Sequence, residues 1–298
     1  MNPTELIQSH LAQAKKPLIC LIGPTASGKT ALSLELAKKF NGEIVSADSR
    51  QIYRGMDIGT AKISKEERQG VPHHLLDIID PDQDFSVAEF KRLAVEKIED
   101  ILQRGKVPFL VGGTMLYIDA VTKNFEIPEV EPDLELRKKL EAKELQLLVA
   151  ELAKLDPEAA KSIDTDNPRR VSRALEYCLK TGKNFSEAGS KGPKLFDELI
   201  LGIDLPREEL YKRIDARVEE QLKNGLLAET KELAAKYTWD LPSMSGIGYK
   251  QMGMYLRGDL SLEEALEILK IDTRRYAKRQ LTWWRGDERI RWISDSVR

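Results

Sequence analysis

The 298-residue sequence has few cysteines and no long hydrophobic run. Its two cysteines, Cys20 and Cys178, are too few for a disulfide framework or a cysteine zinc cluster, which fits a reducing compartment. The longest apolar run near the N-terminus, residues 18–22, is too short to span a bilayer, and no signal-peptide core precedes it. We therefore expect a cytoplasmic protein that does not associate with a membrane.

The sequence also lacks an excess of either charge, because its formal net charge is -2. A globally basic protein is excluded, but nucleic-acid affinity depends on local clusters of cations rather than on their sum. Repeats and low-complexity segments are absent as well, which argues against a solenoid or a disordered arm. With 41% hydrophobic residues, the chain can bury a substantial core in one large domain or two unequal ones.

Buried strands alternate with helices in the first 120 residues. Residues 17–22, 43–47 and 107–111 are typical of strands, and apolar periodicity predicts a helix over residues 30–40. Ser86 and Glu89 have the spacing of a capping box and begin a second helix, which Gly105 ends. This alternation predicts an α/β fold with a mostly parallel sheet covered by helices.

The pattern changes near residue 121, where prolines and a long run of helix formers replace the alternation. Pro128 and Pro132 mark the change, and residues 132–182 are mainly typical of helices. Residues 199–203 predict a strand that returns to the sheet, and the chain from Pro206 almost to Arg285 predicts helices. We therefore predict a P-loop core at 1–120, a smaller all-helical insertion domain at 121–195, and a return to the core with C-terminal helices at 196–298.

A phosphate-binding P-loop pattern lies between the first predicted strand and helix. It is matched at every fixed position by Gly23-Pro24-Thr25-Ala26-Ser27-Gly28-Lys29-Thr30. Backbone N–H groups and the helix N-terminus would face an anion. Lys29 would neutralise phosphate oxygens, and the Thr30 hydroxyl would bind Mg²⁺. The segment predicts a diphosphate site.

Most P-loops serve an ATPase, a GTPase or a kinase, but the partner motifs of those enzymes are missing. The strand at 107–111 runs into Gly112-Gly113-Thr114, where a Walker-type NTPase commonly places its magnesium-binding Asp. No guanine-reading Asn-Lys-x-Asp motif occurs. Asp77 could replace the missing acid, but Pro72 and Pro81 bracket it and disfavour a central strand. Nucleotide hydrolysis is therefore disfavoured, and ATP is at most a look-alike ligand for this nucleotide-binding motif.

Asp48 follows the second predicted strand, at the edge where parallel sheets collect functional groups. A carboxylate there could be the general base toward a nucleophile that attacks a bound diphosphate ester. On position alone, a turn-forming or helix-capping Asp is an equal alternative.

Segment 46–62, SADSRQIYRGMDIGTAK, resembles the signature of bacterial tRNA dimethylallyltransferases, also called tRNA isopentenyltransferases. The P-loop precedes this segment, as in that family. Three further family landmarks follow in order: Pro72-His73-His74-Leu75, Gly112-Gly113-Thr114-Met115-Leu116-Tyr117 and Lys278-Arg279-Gln280-Leu281-Thr282-Trp283. The resemblance covers nearly the whole chain.

The resemblance implies transfer of a dimethylallyl group from dimethylallyl diphosphate to the exocyclic 6-amino group of the adenosine 3′ of the anticodon in tRNA. Asp48 would be the general base, and the P-loop with Mg²⁺ would bind the leaving pyrophosphate. Lys29, Thr30 and Arg217 would be the other catalytic residues, and Arg213 would join the diphosphate site. For both arginines a solvated helix face is the alternative. The adenosine would be flipped out of the RNA.

Two clusters of cations predict contacts with RNA. Asn167 and Pro168 are typical of a helix start, and three arginines crowd its first turns: Arg169, Arg170 and Arg173. Cations there oppose the helix dipole by a few tenths to about 1 kcal/mol each, so external phosphates would explain them. Near the C-terminus a basic stripe interleaved with aromatic residues, from Arg274 to Arg285, could bind backbone and stack bases.

The anticodon stem-loop is thus the expected partner of a monomeric enzyme. The resemblance and these cations give one set of expected tRNA contacts: Asp48, Ser49, Arg50, Gln51, Thr114, Arg137, Arg169, Arg170, Val171, Ser172, Arg173, Gly246, Ile247, Gly248, Tyr249, Lys250, Gln251, Lys278, Arg279, Gln280 and Arg285.

Three alternatives remain. An adenylate isopentenyltransferase shares the P-loop but prenylates free AMP, ADP or ATP, and it would not need the helical insert or the basic C-terminal stripe. A P-loop small-molecule kinase is more distant, and a tRNA-binding protein with an inactive loop is disfavoured by intact Lys29, Thr30 and Asp48. His73 and His74 lack an acid or thiol set at metal-ligand spacing, so structural roles are predicted for them.

Overall fold

The structure, a computed structural model, describes residues 2–126, 133–187 and 192–294. The predicted breaks at Pro128 and Pro132 lie outside these residues. The chain divides into two compact units. The core unit comprises Met1–Thr122 and Lys194–Arg298, and the helical unit is Lys123–Pro193.

The core unit contains a six-stranded sheet in the order β3-β2-β4-β1-β5-β6. All five strand pairs are parallel. The strands are β1 Pro17–Ile22, β2 Gly42–Ser46, β3 His73–His74, β4 Val107–Gly112, β5 Asp197–Asp204 and β6 Ile290–Ser294. The predicted α/β fold with a mostly parallel sheet is confirmed.

Helices cover the sheet and bury both of its faces, as continuous apolar strands require. Residues 18–22 of β1 are completely buried, and they contribute to two separate hydrophobic clusters. The helices of the core unit are α1 Pro3–Leu11, α2 Lys29–Lys39, α3 Val87–Gln103, α4 Met115–Thr122, α9 Arg207–Lys223, α10 Leu226–Ala234, α11 Tyr249–Leu256 and α12 Leu262–Trp284. None of the helices within the described ranges is long and apolar enough to cross a membrane.

Local signals set the ends of α3. The Ser86 hydroxyl accepts a hydrogen bond from the Glu89 backbone N–H, and the Glu89 carboxylate accepts one from the Ser86 backbone N–H. Gly105, with φ of 69°, lies just beyond the helix in the left-handed region. The capping box and the glycine stop predicted from the sequence are both present.

The two edge strands were not predicted. His73 of β3 pairs with Ile44 of β2, and β3 ends before the segment that Pro72 and Pro81 bracket. Leu75 and Asp77 then have positive φ angles of 61° and 56°, which stop a strand. At the other edge, β6 follows the last helix and pairs with β5; it lies beyond Arg285, where the predicted helices end.

The helical unit has its own apolar core. It contains α5 Leu134–Glu141, α6 Leu145–Leu155, α7 Pro157–Ser162, α8 Pro168–Thr181 and a 3₁₀ turn at Phe185–Glu187. Leu152, Val171 and Leu175 are completely buried at its centre. The Asn124 backbone carbonyl accepts from the Gly192 N–H at 3.0 Å, and the Asn124 side chain donates to the Pro193 carbonyl at 2.8 Å. The two ends of this unit therefore meet.

Candidate active site

The P-loop connects the carboxyl end of β1 to the start of α2. Three of its residues have positive φ angles, Gly23 at 156°, Ala26 at 62° and Gly28 at 88°, and these angles curl the loop. The Lys29 ammonium group donates to the carbonyls of Gly23 at 2.8 Å and Pro24 at 2.7 Å. The loop is thus closed around its own lysine.

The surroundings of the Lys29 ammonium group disfavour its charged form. Burial, and next the positive charge of Arg217, lower the pKa of Lys29 to about 7, whereas Asp48 acts in the opposite direction. A bound anion would offset both effects. The charge distribution at the loop therefore favours a negatively charged ligand.

Helix α9 places two arginines beside the loop. Arg217 donates from Nη1 to the Thr25 hydroxyl at 3.2 Å, and burial lowers the pKa of Arg217. Arg213 and Arg217 border a surface depression that the P-loop residues 26–30 complete. Arg213 also donates to Glu209 at 2.8 Å. The structure therefore brings Arg213, Arg217 and the second half of the P-loop around one concave surface, which Glu220 also lines.

Asp48 lies two residues beyond β2 at the carboxyl edge of the sheet. Its Oδ1 accepts from the backbone N–H groups of Arg50 at 2.8 Å and Gln51 at 3.4 Å, which is an Asx turn. Its Oδ2 has no hydrogen-bond partner within the described ranges. Asp48 also lines a cavity with Lys29, Thr30 and Arg217. The turn role and a chemical role are therefore compatible, because each uses a different oxygen.

The cavity is lined by apolar side chains as well as by P-loop residues and Asp48. Its wall includes Ile44, Ile63, Leu76 and Val111. His73 also lines it and donates from Nδ1 to the Val71 carbonyl at 2.9 Å, and burial lowers the pKa of His73. A lining that combines Lys29 and Arg217 with apolar side chains suits an anion with a hydrocarbon tail.

The Gly112-Gly113-Thr114 turn lies where a hydrolytic NTPase would place an acid. A Cβ on Gly112 would lie 2.1 Å from the Ala47 carbonyl oxygen, so no side chain fits there. The Thr114 hydroxyl accepts from the Ser49 N–H at 2.9 Å and donates to the Ser49 hydroxyl at 3.2 Å. The turn therefore joins β4 to the Asp48 segment and leaves no room for a Walker-type Asp.

Gln280 connects this turn to the P-loop. Its amide oxygen accepts from the Thr25 N–H at 2.9 Å, and its amide N–H donates to the Gly113 carbonyl at 2.7 Å. Gln280 is only 1% exposed, although the sequence grouped it with tRNA contacts. One helical turn earlier, Tyr276 donates to the same carbonyl at 3.2 Å and lines the cavity.

The remaining expected RNA contacts near the sheet differ in exposure. Arg50 donates to the Pro242 carbonyl at 2.6 Å, and Gln51 donates to the Thr60 carbonyl at 3.2 Å. In segment 246–251, Gly246, Gly248, Tyr249 and Gln251 are buried, Ile247 is partly buried, and Lys250 is exposed. Lys250 is thus the side chain of this segment that is best placed to contact an external ligand.

On α12, the exposed cations are Arg275, Lys278 and Arg279, and Arg285 follows just beyond the helix. Arg274, by contrast, forms a two-point ion pair with Asp215. Trp284 is buried in the core, whereas Trp283 is 43% exposed and donates to Asp119 at 2.9 Å. The predicted basic and aromatic stripe therefore contains both core residues and exposed ones.

In the helical unit, the side chain of Glu176, 1% exposed, organises two of the predicted arginines. Arg137 donates from Nε to both carboxylate oxygens at 3.1 Å, and Arg173 donates from Nη1 at 2.6 Å. Arg170 lies 3.6 Å from Asp164, and exposed Arg169 forms no ion pair with any residue that the structure describes. The neighbouring side chains of Val171 and Ser172 are buried inside the unit.

Sequence reasoning missed several cavity residues. Thr60, Ala61 and Ile63 lie in or next to the signature segment, so their proximity to Asp48 could have been suspected. Tyr276 was harder to predict as a cavity residue, because the only indication is that it lies one helical turn before Gln280. No group of three or more His, Cys, Asp or Glu side chains that could hold a metal ion occurs in the part of the chain that is described.

Comparisons with known proteins show the family to which the chain is similar. The IPP transferase family model matches residues 51–287. A tRNA dimethylallyltransferase from Roseiflexus sp. (strain RS-1) is 51% identical over 274 residues, which cover 90% of each chain. The full-length tRNA isopentenylpyrophosphate transferase from Bacillus halodurans, a crystal structure, is 46% identical with a TM-score of 0.72, covering 94% of this chain and 90% of that chain. A eukaryotic dimethylallyltransferase acting on tRNA is 32% identical with a TM-score of 0.80, covering 94% and 74%.

Proposed function

The chain belongs to the IPP transferase family, and from this premise we propose that it transfers a dimethylallyl group from dimethylallyl diphosphate to tRNA. The acceptor is the exocyclic 6-amino group of the adenosine 3′ of the anticodon, and pyrophosphate is released. The observation that carries the proposal is the single cavity shared by the P-loop and Asp48. It offers an anion site, an apolar wall and a carboxylate oxygen without a partner within the described ranges.

The reaction is a substitution at the allylic carbon. The adenosine nitrogen forms a bond to C1 of the dimethylallyl group, and the C1–O bond breaks with its electron pair passing to the pyrophosphate. Asp48 accepts the proton that the nitrogen loses, for which Oδ2 is suited because Oδ1 already accepts from Arg50 and Gln51. An aryl amine is a poor nucleophile, so its orientation beside this carboxylate contributes as well.

Stabilisation of the leaving pyrophosphate falls to the P-loop and α9. Lys29, Arg213 and Arg217 surround the same depression as the loop backbone, and their positive charge offsets the charge that develops on the leaving group. The depressed pKa values of Lys29 and Arg217 fit this role, because both cations gain from a bound anion.

Mg²⁺ is the proposed cofactor, with the Thr30 hydroxyl as its protein ligand. Thr30 lines both the cavity and the depression, where substrate phosphates would supply further oxygen ligands. A site with one protein hydroxyl, phosphate oxygens and water fits the preference of Mg²⁺ for oxygen ligands and retained water. When bound, the ion neutralises charge on the pyrophosphate oxygens.

The tRNA is bound by exposed cations. In the core unit these are Lys250, Lys278, Arg279 and Arg285, and in the helical unit Arg169 and Arg170. Names of relatives that specify tRNA support a tRNA acceptor over free adenine nucleotide. The closed position at Gly112 disfavours the kinase alternative. We place the reaction in the cytoplasm, where tRNA is modified, and expect a monomer to carry it out.

The test combines labelled dimethylallyl diphosphate, Mg²⁺ and an unmodified anticodon stem-loop RNA. We expect prenylated adenosine from the wild type and a loss of about 10²-fold or more in kcat for Asp48→Asn, because the base is removed while the turn geometry is retained. Binding of both substrates should stay within a few fold. Transfer to free AMP but not to RNA would refute the tRNA assignment, and phosphoryl transfer from ATP would refute prenyl transfer.

A further inference from the structure

A carboxylate outside the P-loop and Asp48 segments makes an unusual set of hydrogen bonds. Glu229 of α10 accepts from the backbone N–H groups of Asp57 at 3.0 Å and Ile58 at 2.8 Å through Oε2. Its Oε1 accepts from the Gly59 N–H at 3.0 Å and from the Tyr249 hydroxyl at 2.6 Å. One side chain thus satisfies three consecutive backbone donors and a buried phenol.

The backbone bound by Glu229 begins the 57–62 loop, which has further attachments. Gln221 of α9 donates to the carbonyls of Ile58 at 2.7 Å and Gly59 at 3.1 Å. At the other end of the loop, Lys62 donates to the Tyr53 carbonyl at 2.6 Å and to Asp57 at 2.7 Å. Side chains from α9 and α10 therefore fix the first half of a loop that has no regular secondary structure of its own.

This loop forms part of the cavity wall. Thr60 and Ala61 line the cavity together with Asp48, and Ile63 follows directly after the loop. Gln51, three residues after Asp48, donates to the carbonyls of Thr60 at 3.2 Å and Ala61 at 3.4 Å. The position of the wall relative to the general base therefore depends on where Glu229 and Gln51 hold the loop.

Tyr249 extends the arrangement to α11. A Cβ on Gly59 would lie 2.4 Å from the Tyr249 ring, so only glycine allows the ring to pack on the loop. Burial, and next the negative charge of Glu229, raise the pKa of Tyr249, so its hydroxyl remains a donor. Tyr249 is 1% exposed, and the next residue, Lys250, is exposed.

We propose that Glu229 is a positioning residue for prenyl transfer: it fixes the 57–62 loop as the wall of the prenyl-donor cavity and joins that wall, through Tyr249, to the first turn of α11. The inference rests on the proposed function. It gives Tyr249 a role inside the protein rather than at the RNA. A carboxylate is required because all four of its partners donate, and the amide group of glutamine would direct its own N–H donors at some of them.

The experiment measures kcat and KM for dimethylallyl diphosphate, the Kd for the stem-loop RNA and thermal unfolding. For Glu229→Gln we expect KM for dimethylallyl diphosphate to rise about tenfold to a hundredfold, because charge-assisted hydrogen bonds that shape the cavity are lost. The value of kcat should change less than KM, and the Kd for RNA by less than about threefold. Glu232→Gln is the matched control, since Glu232 is exposed on the same helix, and its KM should equal that of the wild type.

Tyr249→Phe removes one of the four hydrogen bonds and keeps the ring on Gly59. We expect a KM increase of a few fold, in the same direction as for Glu229→Gln, and this variant decides the matter should Glu229→Gln fail to fold. A folded Glu229→Gln protein with the wild-type KM would overturn the proposal, as would a KM for Tyr249→Phe equal to that of the wild type. A wild type that does not prenylate the RNA would instead refute the proposed function.

Discussion

At the scale of single residues, the P-loop lysine is already largely occupied by its own loop. The carbonyls of Gly23 and Pro24 accept two of the three donors on the Lys29 ammonium group, which leaves one for a phosphate oxygen. Because burial lowers the pKa of Lys29 to about 7, the charge of this group changes near neutral pH.

This titration predicts a pH dependence of substrate capture. As pH rises through about 7, free Lys29 loses its proton, so the positive charge that attracts diphosphate disappears and kcat/KM for dimethylallyl diphosphate should fall. Bound diphosphate favours the protonated form, so the corresponding limb in kcat should lie at higher pH. In Lys29→Arg the cation persists, and the alkaline limb near pH 7 should vanish even where the maximal rate is lower. Identical limbs in the two proteins would contradict the assignment.

Glu43 is a buried carboxylate outside the set of described residues that line the cavity. The Arg104 hydrogen bonds, with help from Lys106 and His74, hold the pKa of Glu43 well below its usual range. His74 contacts Glu43 at 2.7 Å, whereas the adjacent His73 lines the cavity. Successive residues of a strand point to opposite faces, so two neighbouring histidines have different environments. Neither Glu43 nor His74 is among the described residues that line the cavity, which favours the structural role predicted for His74.

At the scale of elements, the first turns of α8 contain one arginine that is paired within the helical unit and two that are exposed to solvent. Arg173 is bound to Glu176 within the unit, while Arg169 and Arg170 are exposed at the helix start. Asn167 caps this helix by accepting from the Arg170 N–H at 3.3 Å. The cap fixes the helix start, and the two exposed cations are the ones available to an RNA backbone.

We expect Arg169→Ala combined with Arg170→Ala to weaken binding of the stem-loop RNA and to reduce its salt dependence. Each lost phosphate contact should lower the slope of log Kd against log salt by about 0.7 to 0.9. Lys183→Ala, at an exposed cation just beyond the same helix, should leave the slope unchanged. Fluorescence anisotropy titrations between low and moderate salt would measure both, and an unchanged slope in the double variant would count against RNA contact at α8.

Sequence patterns predicted those elements whose causes are local. Buried apolar runs indicated β1, β2, β4 and β5, and the capping box indicated α3. The edge strand β3 is two residues long and forms only because β2 offers it partners, so no run of residues marks it. Asp48 could be predicted to lie at the cavity because its position after β2 and the sequence of its segment are both distinctive. Gln280 contacts a loop 255 positions away in the chain, and Arg137 contacts Glu176 from 39 positions away, so neither contact could be inferred from periodicity.

At the scale of the whole molecule, the helical unit begins and ends at one place. Asn124 forms hydrogen bonds with both Gly192 and Pro193, so the first and last residues of the helical unit lie next to each other. Each unit has its own buried apolar cluster. Such a connection allows one unit to be removed without leaving a wide gap in the other.

We therefore expect a variant in which a short glycine linker joins Thr122 to Lys194 to remain folded. It should bind pyrophosphate with Mg²⁺ within about threefold of the wild-type affinity and bind stem-loop RNA at least about tenfold more weakly, since Arg169 and Arg170 are lost. Calorimetric titration and a cooperative denaturant transition would establish the first expectation. Loss of pyrophosphate binding in a folded variant would show that the core unit depends on the helical one.

The strand order has a consequence for synthesis of the chain. β1, which carries the P-loop, pairs on one side with β4 and on the other with β5, and the helical unit is encoded between these two partners. At typical translation rates of about 5–20 residues per second, several seconds pass between the synthesis of β4 and that of β5. During this time one edge of β1 has no partner strand. An unpaired edge accepts incorrect partners. The insertion thus sets the interval during translation in which the nascent core is most exposed to mispairing.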